Sequence, residues 1–291
     1  MDLRPPKVAL VTGCSEGGVG FSFCQKLLAR GYIVYATARS VDSMRGLQHA
    51  NMKKLSSDVT SDEQVSSVVQ AIMDAEGYVD LVINNAGKPF NGHAGPTTDY
   101  TSEEMKSIYD ANVFSIQRVA RAVVPRMAKR KQGTIVNMGS IVGEYPTPWM
   151  GVYDSSKGAV RIMSEVLSME CRPFNIKVVL VAPSSIQSKI VGKHDDYRLP
   201  PESIYTGFFP NIRQRLEAAR EDDAMPSDVF AERVISKVVS SNPPSYMLLG
   251  GKSTMFRIMA FLPRSWVLSI VWGMFSKPRA KEKGELAPGR T

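Results

Sequence analysis

From Val8 to about residue 250, short runs of β-branched and aliphatic residues alternate with longer stretches in which apolar positions recur at helical spacing. The runs Val8 to Thr12, Ile33 to Thr37, Met52 to Ser56, Leu81 to Asn84, Thr134 to Met138, Lys177 to Val181 and Tyr246 to Leu249 read as strands. Between them the spacing predicts helices over Val19 to Arg30, Asp62 to Glu76, Ser102 to Lys129, Tyr153 to Cys171 and Ser227 to Ser240. Strands separated by helices need crossover connections, and right-handed crossovers build a parallel sheet covered on both faces. The expected fold is α/β: a single doubly wound parallel sheet with helices on both faces.

Two regions fall outside this alternation. Residues 184–225, rich in Pro, Asp and Arg, separate the sixth strand from the next helix. They follow the carboxyl end of a strand, where parallel sheets bind ligands, so a substrate lid is expected. Residues 252–275 form a C-terminal apolar extension, with Met255, Phe256, Phe261, Leu262, Trp266 and Trp272 interrupted by Arg257, Pro263 and Arg264. Charges and a proline inside so short a stretch make a poor membrane span. Peripheral attachment to a membrane or lipid droplet is expected through Met255 to Phe275; the alternative is that these residues fold over the pocket or close the interface of a homo-oligomer. The expected division is a catalytic domain over 1–251, the apolar segment over 252–275, and a basic, disordered tail over 276–291.

Composition narrows the function classes. The 291 residues carry a net charge of +8, yet the basic residues are scattered and not interleaved with aromatics, so no nucleic-acid partner is expected. Cys14, Cys24 and Cys171 show neither paired nor metal-binding spacing, which fits reduced thiols. The N-terminal run MDLRPPKVALVTG lacks the pattern of a secretion signal, so a cytoplasmic protein is expected, with the endoplasmic reticulum or lipid-droplet surface as its membrane option.

The chemistry is carried by three stretches. The turn TGCSEGGVG joins the first strand to the first helix, where glycines let a pyrophosphate approach and the helix N-terminus offers N–H groups. Its candidate cofactor contacts are Gly13, Ser15, Gly18, Val19 and Gly20. After the second strand no acid stands ready for the ribose hydroxyls of NAD; Arg39 does, and a guanidinium there suits the 2′-phosphate of NADPH, although Asp42 is nearby. In YDSSK, Tyr153 and Lys157 are four residues apart on a predicted helix and so share a face. An ammonium beside a phenol stabilises phenolate, which equips the tyrosine to exchange a proton with a carbonyl or alcohol oxygen.

The glycine turn, the NNAG run from Asn84 to Gly87, Asn112, Ser140 and YDSSK together resemble the short-chain dehydrogenase/reductase superfamily, over about residues 7 to 250. The stretches VYATARSVDSM, NVFSIQRV and MECRPFNIKVV resemble its fungal branch of NADPH-dependent 1-acyldihydroxyacetone-phosphate reductases. The resemblance implies a Rossmann-like sheet and assigns roles. Tyr153 would be the proton donor, and Lys157 would hold the nicotinamide ribose and lower the tyrosine pKa. Ser140 would bond the carbonyl oxygen, and Asn112 would anchor a water leading from Lys157 to solvent. Asn85, Ala86 and Gly87 would line the cofactor, and Asp58 with Val59 would contact adenine. Three features depart from the family pattern: an extra residue between Gly13 and Gly18, Pro183-Ser184 where Pro-Gly is usual, and Ser188 in place of a threonine that reaches the carboxamide.

The expected activity is NADPH-dependent reduction of a ketone on a hydrophobic or amphipathic small molecule. Acyl-dihydroxyacetone phosphate and a specialised-metabolite ketone both fit. Substrate choice is expected in 88–100, 141–152 and 184–225, with Tyr145, Trp149, Met150, Tyr197, Tyr205 and Phe208 among the apolar walls. The competing classes are an NADP-binding scaffold for a non-redox cyclisation or isomerisation, and a noncatalytic NADPH sensor.

Overall fold

The computed structural model describes residues 5–88, 95–188, 197–217 and 224–276. Strand β1 (Val8–Thr12) is buried at every position, as a strand covered on both faces must be. It pairs in parallel with β2 (Ile33–Ala38) and β4 (Leu81–Asn84). With β3 (Met52–Ser56), β5 (Gly133–Met138), β6 (Ile176–Pro183) and β9 (Tyr246–Leu249), these build one parallel sheet in the order β3-β2-β1-β4-β5-β6-β9. A separate two-residue ladder joins β7 (Ile186–Gln187) to β8 (Met225–Pro226). The chain winds one way from β1 to β3 and the other way from β4 onward, so the crevice between the carboxyl ends of β1 and β4 is the switch point where such sheets bind ligands.

Alternation along each strand divides the core into two layers. Ala9, Val11, Val34 and Ala36 face α1 (Val19–Leu28) and α7 (Ser227–Val238), where Phe23, Leu27, Phe230 and Val234 pack. Val8, Leu10 and Ile135 face α2 (Asp62–Glu76) and α4 (Ser115–Arg130) through Val65, Ile72, Val123 and Met127. Helix α2 begins where the Gln64 N–H donates to Ser61 Oγ at 3.2 Å and ends at left-handed Gly77. Helix α3 (Ser102–Tyr109) opens with a capping box between Thr101 and Glu104.

One predicted helix is not uniform. The stretch expected as a single α-helix from Ser102 to Lys129 runs from α3 through a π-helical turn, Asp110–Phe114, into α4. That turn bears Asn112, and such wider turns inside helices tend to mark functional positions. Helix α5 (Gly151–Cys171) starts two residues before Tyr153.

Residues 184–225 contribute α6 (Phe209–Glu217) in their described part, and the segment from Lys252 contributes α8 (Ser253–Met259) and α9 (Arg264–Ser276). Met259, Val267 and Val271 pack on Ile141, Tyr145 and Leu248. The contact is polar at its edges: Tyr145 Oη donates to the Phe256 carbonyl at 3.0 Å, Arg257 to the Leu248 carbonyl at 3.1 Å, and Arg264 to the Glu144 carbonyl. The opposite side of the pair is open, with Phe261 89% and Trp266 62% exposed. No helix among the described residues is long and apolar enough to cross a membrane. The basic tail expected from residue 276 lies, after Ser276 itself, outside the described residues.

Candidate active site

At the carboxyl ends of β1 and β4, backbone and short side chains lock two turns together. The N–H groups of Asn85 and Ala86 donate to Thr12 Oγ1 at 3.1 and 3.0 Å, and Asn85 Nδ2 donates to the carbonyls of Thr12 and Gly13, each at 2.9 Å. Gly13 has φ +72°, and a Cβ there would stand 2.8 Å from the Cα of Ala86. Only glycine allows both the left-handed backbone and that approach. The extra residue of the turn is absorbed between Ser15 and Gly18, where the Gly18 N–H reaches the Ser15 carbonyl at 3.0 Å and Gly17 takes φ +81°. The bulge is pinned laterally: the Glu16 N–H donates to the Ser43 carbonyl at 2.8 Å, and Ser15 and Ser43 share a hydroxyl hydrogen bond of 3.1 Å.

Helix α1 then begins at Gly18 with no side chain capping it and no acid in its first turn. Its first N–H groups and positive dipole end suit an anion such as a pyrophosphate. Val19 lines the cavity beyond, and Gly20 starts the helix against Gly13 and Asn85. The residues therefore fit a dinucleotide.

Arg39 is exposed just past β2, and its charge reaches Asp58 after β3. The Asp58 carboxyl is held below the usual carboxylate range, chiefly by the Thr60 N–H at 2.9 Å, then by the Thr60 hydroxyl and the charges of Arg39 and Lys88. The Asp58 N–H is itself taken by Gln64 Oε1 at 2.8 Å, and Val59 follows half-buried.

Four elements bring the catalytic candidates together. Ser140 follows β5; its hydroxyl accepts from the Val142 N–H at 3.4 Å and lies 3.5 Å from the Pro183 carbonyl, the end of β6. Tyr153 and Lys157 project from the first turns of α5, with the ammonium 5.7 Å from the centroid of the tyrosine ring. Lys157 Nζ donates to the Met138 carbonyl at 2.9 Å, and burial pulls its pKa down to about 8. Asn112 joins the π-helical turn before α4 to α5 by donating to Ser156 Oγ at 3.2 Å, while its Oδ1 accepts from the Lys88 N–H at 2.7 Å beside Gly87. Burial pushes the Tyr153 phenol well above its ordinary pKa and the Asp154 charge adds to this; Arg215 and a hydrogen bond with Ser140 oppose them. Burial is the largest of these effects, and it favours the protonated phenol.

Ser140, Tyr153, Asn85, Val19 and Pro183 share the wall of one cavity of about 610 Å3. Its remaining surface is mostly apolar and comes from Ile141, Val142, Tyr145 and the inner faces of α8 and α9, namely Met255, Phe256, Met259, Val271, Met274 and Phe275. The aromatic wall expected from 141–152 and 184–225 is realised only in part. Tyr145 lines the cavity, whereas Trp149 packs 5.7 Å from Tyr205, 5.5 Å from Phe208 and 6.0 Å from Trp272, tying the turn that leads into α6 to α9. Met150 is fully buried beneath them. Ser188 is half-buried just before residues 189–196, which are outside the described set, as are 89–94. Ser185 lines the cavity with a buried hydroxyl that has no partner among the described residues.

The sequence reading passed over three residues. Asp154, 3% exposed beside Tyr153, accepts from the Thr147 N–H at 2.7 Å and from its hydroxyl at 3.2 Å. Burial raises its carboxyl to about pKa 7 against the pull of Arg215 and Thr147. Arg215 on α6 donates from Nε to Thr147 Oγ1 at 2.8 Å. An aspartate inside YDSSK was visible, but its partners lie in a loop and a helix that only the fold brings near.

A glycine turn locked to NNAG at the switch point, facing a serine and a one-turn Tyr-Lys pair, defines an oxidoreductase of the short-chain dehydrogenase class, and the chain belongs to the short chain dehydrogenase family, whose model matches residues 7–198. Among characterised proteins, it is 33% identical over 236 residues to the short-chain dehydrogenase ptmH of Penicillium ochrochloron, covering 80% of this chain and 85% of that one. It is 31% identical over 277 residues to the NADPH-dependent 1-acyldihydroxyacetone phosphate reductase of Saccharomyces cerevisiae, covering 91% and 89%. The crystal structure of a short-chain dehydrogenase from Streptomyces avermitilis matches with a TM-score of 0.79 at 26% identity, over 94% of this chain and 98% of that one.

Proposed function

We propose that this protein is an NADPH-dependent ketoreductase acting on a hydrophobic or amphipathic ketone. The observation that carries the reading is the meeting of Ser140 and Tyr153 on the wall of a largely apolar cavity, with Lys157 buried directly behind them. When bound, NADPH supplies the hydride that goes to the carbonyl carbon. Tyr153 gives its proton to the carbonyl oxygen as charge develops there, and Ser140 donates a hydrogen bond to the same oxygen. Lys157 and Asn112 hold the tyrosine face and the proton path behind it, with Gly13, Ser15, Gly18, Gly20, Asn85, Ala86 and Gly87 shaping the dinucleotide groove. Arg39 takes the 2′-phosphate, Asp58 and Val59 flank the adenine, and Pro183 and Ser188 border the nicotinamide. The net change is a ketone, NADPH and a proton to an alcohol and NADP+.

The related yeast reductase, NADPH-dependent by name, supports the cofactor and a lipid carbonyl; a specialised-metabolite ketone fits the same largely apolar cavity. Helix α6 acts as the described part of the substrate lid. The open side of α8, α9 and the turn between them, bearing Phe261 and Trp266, meets a lipid surface from which an apolar ketone is drawn. The test is a screen of long-chain and cyclic ketones with NADPH deuterated at the transferring position. Deuterium on the carbinol carbon of a product is expected; NADPH binding without label transfer to any ketone would point to the scaffold or sensor readings. Flotation with anionic liposomes tests the surface contact, and soluble dimers that lose association when Phe261 and Trp266 are replaced by Ser would assign the face to a second copy.

A further inference from the structure

The cavity is electrically one-sided. Its lining includes two cationic residues, Arg215 and Lys252, and no carboxylate among the described residues. Lys252 is exposed at the rim, whereas Arg215 is only 8% exposed. A guanidinium set this deep in an apolar wall carries a desolvation cost, which its interaction with the Asp154 carboxyl offsets in part, and its fork of N–H donors matches the oxygens of a carboxylate or a phosphate.

Its placement is fixed from two sides. The Nε bond to Thr147 Oγ1, 2.8 Å long, sets the plane of the group, and Thr147 is itself held by Asp154 next to Tyr153. The guanidinium carbon stands 5.3 Å from the centroid of Phe275 on α9. A chain of three side chains therefore registers the cation of α6 against the helix that bears the proton donor. Beside it, Gln214 also lines the cavity, and its Oε1 is a buried acceptor without a donor among the described residues. A ligand carrying a hydroxyl or an N–H would satisfy that oxygen.

We infer that Arg215 is the receptor for an anionic group, a carboxylate or a phosphate, carried by the carbonyl substrate, so that the favoured substrates are amphipathic anions with the apolar part against Met255, Met259 and Val271. The inference rests on the ketoreductase reading for the reaction but on the cavity alone for the binding preference.

Two substrate pairs separate the sources of charge: a long-chain 4-oxo fatty acid with its methyl ester, and an acyl-dihydroxyacetone phosphate with its dephosphorylated form. Binding is followed by tryptophan fluorescence in the presence of NADP+, where no reduction takes place, and turnover is followed with NADPH. The wild type is expected to bind the anionic member of at least one pair about tenfold or more tightly than the neutral one, the scale of a charge-assisted hydrogen bond. In Arg215→Gln this ratio is expected to fall to near one, and in Arg215→Lys to lie between. A wild type without preference for either anion overturns the inference whatever the variants do, as does a preference that survives in a folded Arg215→Gln. A preference in binding that depends on Arg215 but is accompanied by no turnover of any member sustains the anion receptor and rejects the ketoreductase reading.

Discussion

At one end of the cavity, Thr12, Gly13, Asn85 and Ala86 lock two turns through hydrogen bonds of 2.9 to 3.1 Å, each of them involving a backbone atom. At the other end, Met255, Met259, Val271 and Met274 present flexible apolar surface from helices outside the β-α alternation. The first end is defined by where the main chain runs and tolerates few residue types. The second is defined by volume, and many apolar sets fill a volume comparably. A cofactor common to many relatives and a substrate particular to one can thus be served by a single cavity, because its two ends answer to different constraints.

If the ends are as separate as this, damage at their junction should fall on chemistry alone. Tyr153→Phe is expected to cut turnover by at least about a hundredfold, the range for loss of a general acid, with NADPH affinity nearly retained in a fluorescence titration. Near-wild-type reduction by the variant would remove Tyr153 from the mechanism.

The substrate end should be breakable by volume. Met259→Ala, at a site 5% exposed between the cavity and the core under α8, is expected to lower unfolding free energy by about 2 to 3 kcal/mol and to weaken binding of long-chain ketones. NADPH affinity measured on the folded fraction should stay unchanged; a parallel loss of cofactor binding would show the two ends to be coupled.

The cofactor end should instead answer to charge. Arg39→Asp is expected to lower the NADPH to NADH ratio of kcat/KM by about tenfold or more, since the new carboxylate repels a 2′-phosphate and accepts ribose hydroxyls. An unchanged ratio would leave Arg39 as a surface residue.

A pH slope sharpens the view of the brace between the ends. Asp154 has its folded pKa raised to about 7, above its unfolded value of about 3.9. Between about pH 4 and 7 the folded state then holds a proton that the unfolded chain has lost, so this group makes stability fall as pH rises, by at most about 1.4 kcal/mol per pH unit. Asp154→Asn is expected to flatten the slope of urea-midpoint stability in that window. A slope equal to that of the wild type would place the carboxyl's ionisation elsewhere.

These constraints also explain what the sequence made legible. Buried parallel strands such as Val8–Thr12 and Leu81–Asn84 are short continuous apolar runs between helices, and their bounds follow directly from the pattern. The glycine turn and NNAG are local motifs whose backbone demands are written in their residue types. The π-helical turn at Asp110–Phe114 was hidden because a single inserted residue barely disturbs helical periodicity. Trp149 was expected to line the cavity and instead clasps Tyr205, Phe208 and Trp272, since apolarity announces burial but not the partner. Arg215 could not be read at all: its significance depends on Thr147 and Asp154, 68 and 61 positions away, and only the folded chain supplies that adjacency.

Helices α8 and α9 follow every strand of the sheet in chain order. During synthesis the amino-terminal elements leave the ribosome first, at roughly 5 to 20 residues per second, so the sheet and its glycine turn are available for folding before the wall that faces the substrate exists. For that interval Ile141, Tyr145 and Leu248, which end up beneath Met259, Val267 and Val271, are bare apolar surface on an otherwise assembled nascent chain.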